Sequence, residues 1–305
     1  MDVRSLECFA VVAEELHFRR AAARLNLTQP SLSGRIQALE AEVGVTLLER
    51  NRRQVLLTDA GRSFLDHARV AVRSAKDAMA GARRAAAGEI GRLRFGFTAL
   101  TSYVGMPELV QRFRSACPEI TIDLMQAETA RLEAGLLAEE IDIALLHPPL
   151  SAAGLAQRDL GSDEMVLALP MSNELSRLEA VPPHRLAGQP FLIGPRSIGP
   201  HLYDQIILLC RQAGFSPNIV QELASMTTLI GLAAAGVGCG FVAGSLQVIQ
   251  RPGVAYRPLS GVQAPSLPTA LAWRDGALSA PGRRFLDLAS AEWPGRRIVD
   301  RSSAP

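Results

Sequence analysis

Gln29, Pro30, Ser31, Ser33 and Arg35 fall within seven consecutive residues and bring an amide, two hydroxyls and a guanidinium to one short stretch. A primary amide can bond an adenine edge in a bidentate way, hydroxyls serve bases or phosphates, and a guanidinium suits guanine or phosphate. This set could read DNA. Thr28 is a natural N-cap, and Pro30 sits in a first helical turn where its missing N–H costs nothing. Leu32, Ile36, Leu39 and Val43 then form a buried stripe, so the polar residues stand outward at the start of a helix, where a helix entering the major groove meets base edges. The plainer reading of the same residues is a solvated helix cap.

Two further helices must position that one. Val3, Leu6, Phe9, Ala10, Ala13 and Leu16 recur at helical spacing, Phe18, Ala21, Ala22 and Leu25 mark a second short helix, and Asn26-Leu27 form the turn. The three make a helix-turn-helix. After Gly44, Leu47-Leu48 and Val55-Leu56-Leu57 flank Glu49-Arg50-Asn51-Arg52-Arg53, which predicts a hairpin wing whose Arg50, Arg52 and Arg53 rest on phosphates. Arg19 and Arg20 serve equally as phosphate contacts or as solvated helix charges. Thr58 caps a long helix in which Phe64, Ala68, Ala71, Ala75, Ala78 and Ala82 form an alanine-rich heptad seam. The seam predicts pairing with a second copy, and Gly88 and Gly91 predict a hinge beyond it.

The charge distribution agrees. The 305 residues carry 32 Lys+Arg against 30 Asp+Glu, but residues 1–60 hold 8 basic and 8 acidic, 61–94 hold 8 and 3, and the remainder 16 and 19. No acid lies between Leu16 and Leu39 or between Arg50 and Thr58, which leaves two local basic surfaces. With 48% hydrophobic residues the chain is an ordinary globular protein, long enough for two or three domains. Cys8, Cys117, Cys210 and Cys239 are too scattered for a disulfide framework or a metal cluster. No apolar stretch suits a signal peptide, and the uncharged run from Leu223 to Gln250 is rich in glycine, so it reads as a buried helix and strand rather than a membrane span. The cytoplasm is the expected compartment, and no membrane partner, metal or cofactor is expected.

From Arg92 short apolar strands alternate with helices, which predicts a mainly parallel sheet in two α/β lobes with a cleft between them. The expected division is a winged helix-turn-helix over 1–58, a dimerisation helix over 59–88, and an effector domain over 89–300, with lobe I at about 92–163 and 266–295 and lobe II at about 164–265. The fold class is thus α+β multidomain. No GxSxG, P-loop or HExxH pattern occurs, and the five histidines have no ligand spacing, so an enzyme is not expected. Gly236, Gly238 and Gly240 stand between a helix and a strand and read as turn and packing residues.

The stretch Phe18-Arg19-Arg20-Ala21-Ala22, Leu25 to Ser33, Ile36, Leu39-Glu40, Gly44, Leu47 to Arg50 and Leu57-Thr58-Asp59-Ala60-Gly61 resembles the LysR-type transcriptional regulators, and the resemblance extends over essentially the whole chain. Leu146 to Leu150 and Ala213 to Glu222 most resemble the branch of the acetoin-operon activator, near the muconate and chlorocatechol pathway activators. The resemblance implies a DNA-binding regulator with a C-terminal domain similar to periplasmic solute-binding proteins. Its implied partners are a dyad-related operator, a small organic or aromatic carboxylate effector, further copies of the chain as a dimer or tetramer, and RNA polymerase. Family geometry places effector contacts where strand ends meet helix starts, which here are Thr98, Leu100, Thr101 and Ser102, then Thr129, His147, Arg196, Pro200, His201 and Thr227. Arg196 would pair the carboxylate. Thr101, Ser102 and Thr227 are equally simple helix caps, and His147 can simply pack beside Pro148-Pro149. Two residues depart from the family pattern, Gly34 where many members carry arginine or glutamine, and Leu100 where relatives have a hydroxyl. The remaining readings are a solute-binding protein of the transport type, which has no use for the first 88 residues, and a DNA-binding protein that needs no effector.

Overall fold

The structure, a computed structural model, describes residues 1–50 and 54–293. It divides into two units, Met1–Ala87 and a second that starts at Gly88.

The first unit holds α1 (Val3–Glu15), α2 (Phe18–Arg24), α3 (Gln29–Val43), β1 (Leu48–Arg50), β2 (Val55–Leu57) and α4 (Asp59–Ala86). Asp2 caps α1 by accepting the N–H of Ser5 at 2.7 Å. Leu6, Phe9 and Val12 of α1 meet Ala21, Ala22, Leu32, Ile36 and Leu39 in one core. Leu16, expected on the apolar stripe, instead ends α1 at φ 46° and is exposed, because its N–H closes the last turn onto Val12 and the chain leaves the core there. The alanine seam also divides. Phe64 and Ala68 pack inside this unit's own core, with Phe64 edge-on to Phe9 at 5.3 Å, while Ala71, Ala78 and Ala82 are exposed and Ala75 is half-buried. Only the lower part of the seam is open to another helix.

The second unit contains β3 (Gly91–Phe97), α5 (Met106–Ala116), β4 (Ile120–Gln126), α6 (Thr129–Leu137), β5 (Ile143–Leu146), β6 (Leu155–Pro170), β7 (Pro190–Ile193), α7 (Pro200–Gln212), β8 (Asn218–Glu222), α8 (Met226–Ala234), β9 (Gly240–Ala243), β10 (Val254–Arg257), β11 (Ser266–Arg274) and α9 (Ala280–Glu292). In lobe I, β4, β3 and β5 run parallel, and β11 joins β5 antiparallel. The 16-residue β6 pairs with β11 along its first part and with β9 and β10 along its second, so it crosses from lobe I into lobe II. The strands β7 and β8 are parallel, and a bridge from Phe191 to Cys239 ties them to the rest of lobe II. Each lobe has its own core, one around Phe95, Phe113 and Phe285, the other around Leu167, Phe191, Ile230 and Phe241.

Gly88, expected as a free hinge, is buried. A Cβ there would stand 2.7 Å from the carbonyl carbon of Ala280, so this glycine is needed where the chain crosses the first turn of α9.

Candidate functional site

The candidate DNA-facing surface is built on α3. Asn26 at φ 54° makes the turn from α2, and Thr28 Oγ1 accepts the Ser31 N–H at 3.4 Å to start the helix. Gln29, Pro30 and Ser31 are exposed and Ser33 is half-buried, all away from the stripe of Leu32, Ile36 and Leu39. Arg35 is drawn elsewhere. Its guanidinium lies 3.7 Å from the carboxylate of Asp2 on α1. Of the two adjacent arginines at the start of α2, Arg20 donates to the Glu15 carbonyl at 2.6 Å and lies 3.3 Å from its carboxylate. Arg19 is exposed with no ion pair among the described residues, which makes it the better phosphate contact of the two.

The wing is anchored by residues that carry no DNA chemistry. Glu40 of α3 accepts the N–H groups of Leu47 and Leu48 at 2.9 and 3.0 Å, which fixes the entry to β1. Thr58 donates to the Thr46 carbonyl at 2.9 Å while accepting the Gly61 N–H at 2.8 Å. Gly61 packs so tightly under Leu47 that a Cβ would stand 2.1 Å from its carbonyl oxygen. Arg50 ends β1 opposite Val55. Arg52 and Arg53, expected at the wing tip, lie outside the described residues.

In the second unit the expected effector residues do gather at strand ends and helix starts, but several already have partners. The Pro268 carbonyl can only accept, so His147 Nδ1 donates to it at 3.0 Å, and Nε2 then accepts the Thr98 hydroxyl at 3.0 Å. Burial holds this imidazole neutral, with its pKa pushed down to about 4. His147 thus joins the ends of β3 and β5 to β11. Thr101 is fully buried and donates to the Thr98 carbonyl at 2.7 Å, an internal cap rather than a ligand group. Leu100 and Tyr103 of lobe I pack against the core of lobe II. Ser102 is half-buried in the 3-10 turn Ala99–Tyr103.

Arg196 also has a partner. It is exposed and forms a bidentate pair with Asp204 at 2.8 and 2.9 Å, which raises its pKa and lowers that of Asp204. Thr129 starts α6, Pro200 and His201 start α7, and Thr227 shares a 2.8 Å hydrogen bond with Ser225, the N-cap of α8. A surface cavity of about 720 Å³ lies beside α7 between Pro182, Gln205, Leu208 and Gln263, and none of the expected effector residues lines it.

Comparison with known proteins decides the family. Residues 3–62 match the bacterial regulatory helix-turn-helix of the lysR family, and residues 86–294 match the LysR substrate binding domain. The chain belongs to the LysR family of transcriptional regulators. It is 41% identical over 263 residues to the transcriptional regulator AlsR of Bacillus subtilis, covering 86% of this chain and 87% of AlsR. It is 37% identical over 279 residues to the regulator IlvR of Caulobacter vibrioides, covering 90% and 92%. Among solved structures it is similar to the LysR-family regulator CbnR, with 28% identity, a TM-score of 0.79, and 94% and 99% of the two chains covered. CbnR is also known as a full-length complex with its target DNA, to which the chain is similar at a TM-score of 0.78. The chain is thus a DNA-binding transcriptional regulator with an effector-binding domain.

In this LysR regulator, inspection of residue types missed Glu40, Gly61 and Asp163. The signal for Glu40 was its place one turn before Gly44, where a carboxylate can satisfy the N–H groups of the next strand. Asp163 on β6 is buried and accepts the Ser245 N–H at 3.2 Å, and burial raises its pKa. It pins the end of β9 to the crossing strand, which no spacing rule reveals.

Proposed function

We propose that this regulator responds to a small organic or aromatic carboxylate held between the lobes. The supporting observation is that three helix starts at the expected effector positions lack a side-chain cap. Thr98 before the 3-10 turn, Glu128 before α6 and Gly199 before α7 make no side-chain capping hydrogen bond, so the first-turn N–H groups receive no acceptor from those side chains. Open N–H groups at helix starts favour an anion. Ser102, Thr129, Pro200 and His201 follow these positions in the chain, and Thr227 stands at the start of α8. The Arg196–Asp204 pair is exposed and therefore weak, so exchanging Asp204 for a bound carboxylate costs little.

Gln29 with Pro30, Ser31 and Ser33 contacts bases, and Arg19, Thr28, Arg50, Arg52 and Arg53 hold the backbone of a dyad-related operator. The exposed seam of α4 from Ala71 to Ala82 pairs copies of the chain as a dimer or tetramer. Effector binding acts only to the extent that it favours one lobe arrangement over another, and the spacing of the paired DNA-binding units then changes. The place of action is the cytoplasm, where the operator is, and contact with RNA polymerase completes the list of partners. The test is a footprint on the DNA upstream of the protein's own gene, with and without single carboxylic acids. An acid that alters the protected length supports the reading; a footprint unchanged by every acid while a neutral compound changes it refutes the carboxylate.

A further inference from the structure

The face of α3 opposite its buried stripe contains Pro30, Gly34, Gln37 and Ala41, all exposed. Of these four only Gln37 has hydrogen-bonding groups. Gly34 is not required by the protein's own packing, since a Cβ there would meet nothing within 4 Å and its backbone is ordinary right-handed helix. An exposed glycine in a helix interior is destabilising relative to alanine, with no fold-level return here. Arg35, the neighbouring long polar side chain, is engaged with Asp2 instead.

We propose that Gln37 is a second base-reading residue of this regulator, and that Gly34 brings the α3 backbone close enough to the major groove for Gln37 to reach a base edge. This rests on the DNA-reading role of α3. Long side chains at positions 34, 38 and 41 would hold the helix off the base pairs, and this chain has Gly34, Ala38 and Ala41 there. Gln29 and Gln37 are eight residues apart, roughly 12 Å along the axis, so the two amides address base pairs about three steps apart in each half-site. Each amide presents a donor and an acceptor side by side, which matches adenine N7 and N6.

The experiment is selection of duplexes from a randomised pool by the full-length protein and by its Gln37→Ala, Gln37→Glu and Gly34→Arg variants, followed by titration on the duplex that the unaltered protein selects. Gln37→Ala lowers affinity for that duplex about 10- to 100-fold, leaves binding to random duplex unchanged, and relaxes one position per half-site. Gln37→Glu, an acceptor only, moves that position from adenine toward cytosine. Gly34→Arg shifts or abolishes the preference at the Gln37 position. Selection of the same sequence with the same affinity by Gln37→Ala overturns the proposal while leaving the DNA-reading role of α3 intact. Failure of the unaltered protein to select any sequence overturns both.

Discussion

His147 Nδ1 donates to the carbonyl of Pro268 at 3.0 Å, across 121 residues of sequence. Through Nε2 the same ring accepts the Thr98 hydroxyl, so one neutral imidazole holds the ends of β3 and β5 against the strand β11 that returns from lobe II. Protonating the ring would turn Nε2 into a donor facing a hydroxyl that now donates to it.

That arrangement sets a pH dependence. The imidazole pKa lies at about 4 in the fold against an ordinary 6.5, so between these values the unfolded chain binds more protons than the folded one. The stabilisation is fully present above pH 6.5 and is lost as pH falls toward 4. At about 1.4 kcal/mol per unit, the loss over this window is about 3 kcal/mol, of which about 2 kcal/mol falls between pH 7 and pH 5. Urea unfolding at pH 7 and at pH 5 should show this drop in the unaltered protein and a smaller drop in His147→Gln. Parallel pH curves for the two proteins would remove His147 as its source.

Gly61 and Gly34 differ in what a methyl group would meet. Gly61→Ala places a Cβ against the Leu47 carbonyl, backbone that cannot swing away, and should cost about 1–3 kcal/mol together with operator affinity, because the wing moves. Gly34→Ala fills open space in a helix and should gain up to about 1 kcal/mol. Chemical denaturation of the two variants gives opposite signs, and equal signs would contradict the packing described at Leu47.

Gln29→Ala should weaken binding to the operator by about 1–3 kcal/mol while sparing random duplex. Titrations on both duplexes at one salt concentration check this. Equal losses on the two would assign Gln29 to the backbone.

Ala78 and Ala82 are exposed on α4 and make no part of the first unit's core. Ala78→Glu should therefore leave the unfolding of a single chain unchanged and lower the molecular mass seen by sedimentation. An unaltered mass would place self-association elsewhere.

The helix-turn-helix was legible because its signals are local: a stripe of Leu32, Ile36 and Leu39, a cap at Thr28 and a proline in the first turn. The strand order of the second unit was less so. The first half of β6, with Gln157, Arg158, Asp159, Ser162 and Asp163, lacks an apolar run because it crosses between lobes, and β10 is only four residues long. Effector residues were least legible. Their types suit binding, but whether a side chain is available depends on partners distant in sequence, such as Pro268 for His147 or the lobe II core for Leu100. For Arg196 the partner is near, Asp204 eight residues on.

The pair itself makes a prediction. Asp204→Asn frees the Arg196 guanidinium without removing it, so effector affinity should rise, whereas Arg196→Ala should abolish the response with operator binding kept. Dose-response curves of a reporter for both variants check this, and a response unchanged in both would take Arg196 out of the site.

Thermal unfolding of the full-length protein against small carboxylic and aromatic acids, each paired with its neutral amide, decides most directly whether a carboxylate occupies the second unit. A ligand of the folded state must raise the midpoint with concentration, by the equivalent of about 2.7 kcal/mol at a hundredfold excess over its Kd. The expected result is a concentration-dependent rise with an acid, absent with its amide and lost in Arg196→Ala. Equal stabilisation by acid and amide, or stabilisation by amides alone, would contradict the carboxylate site.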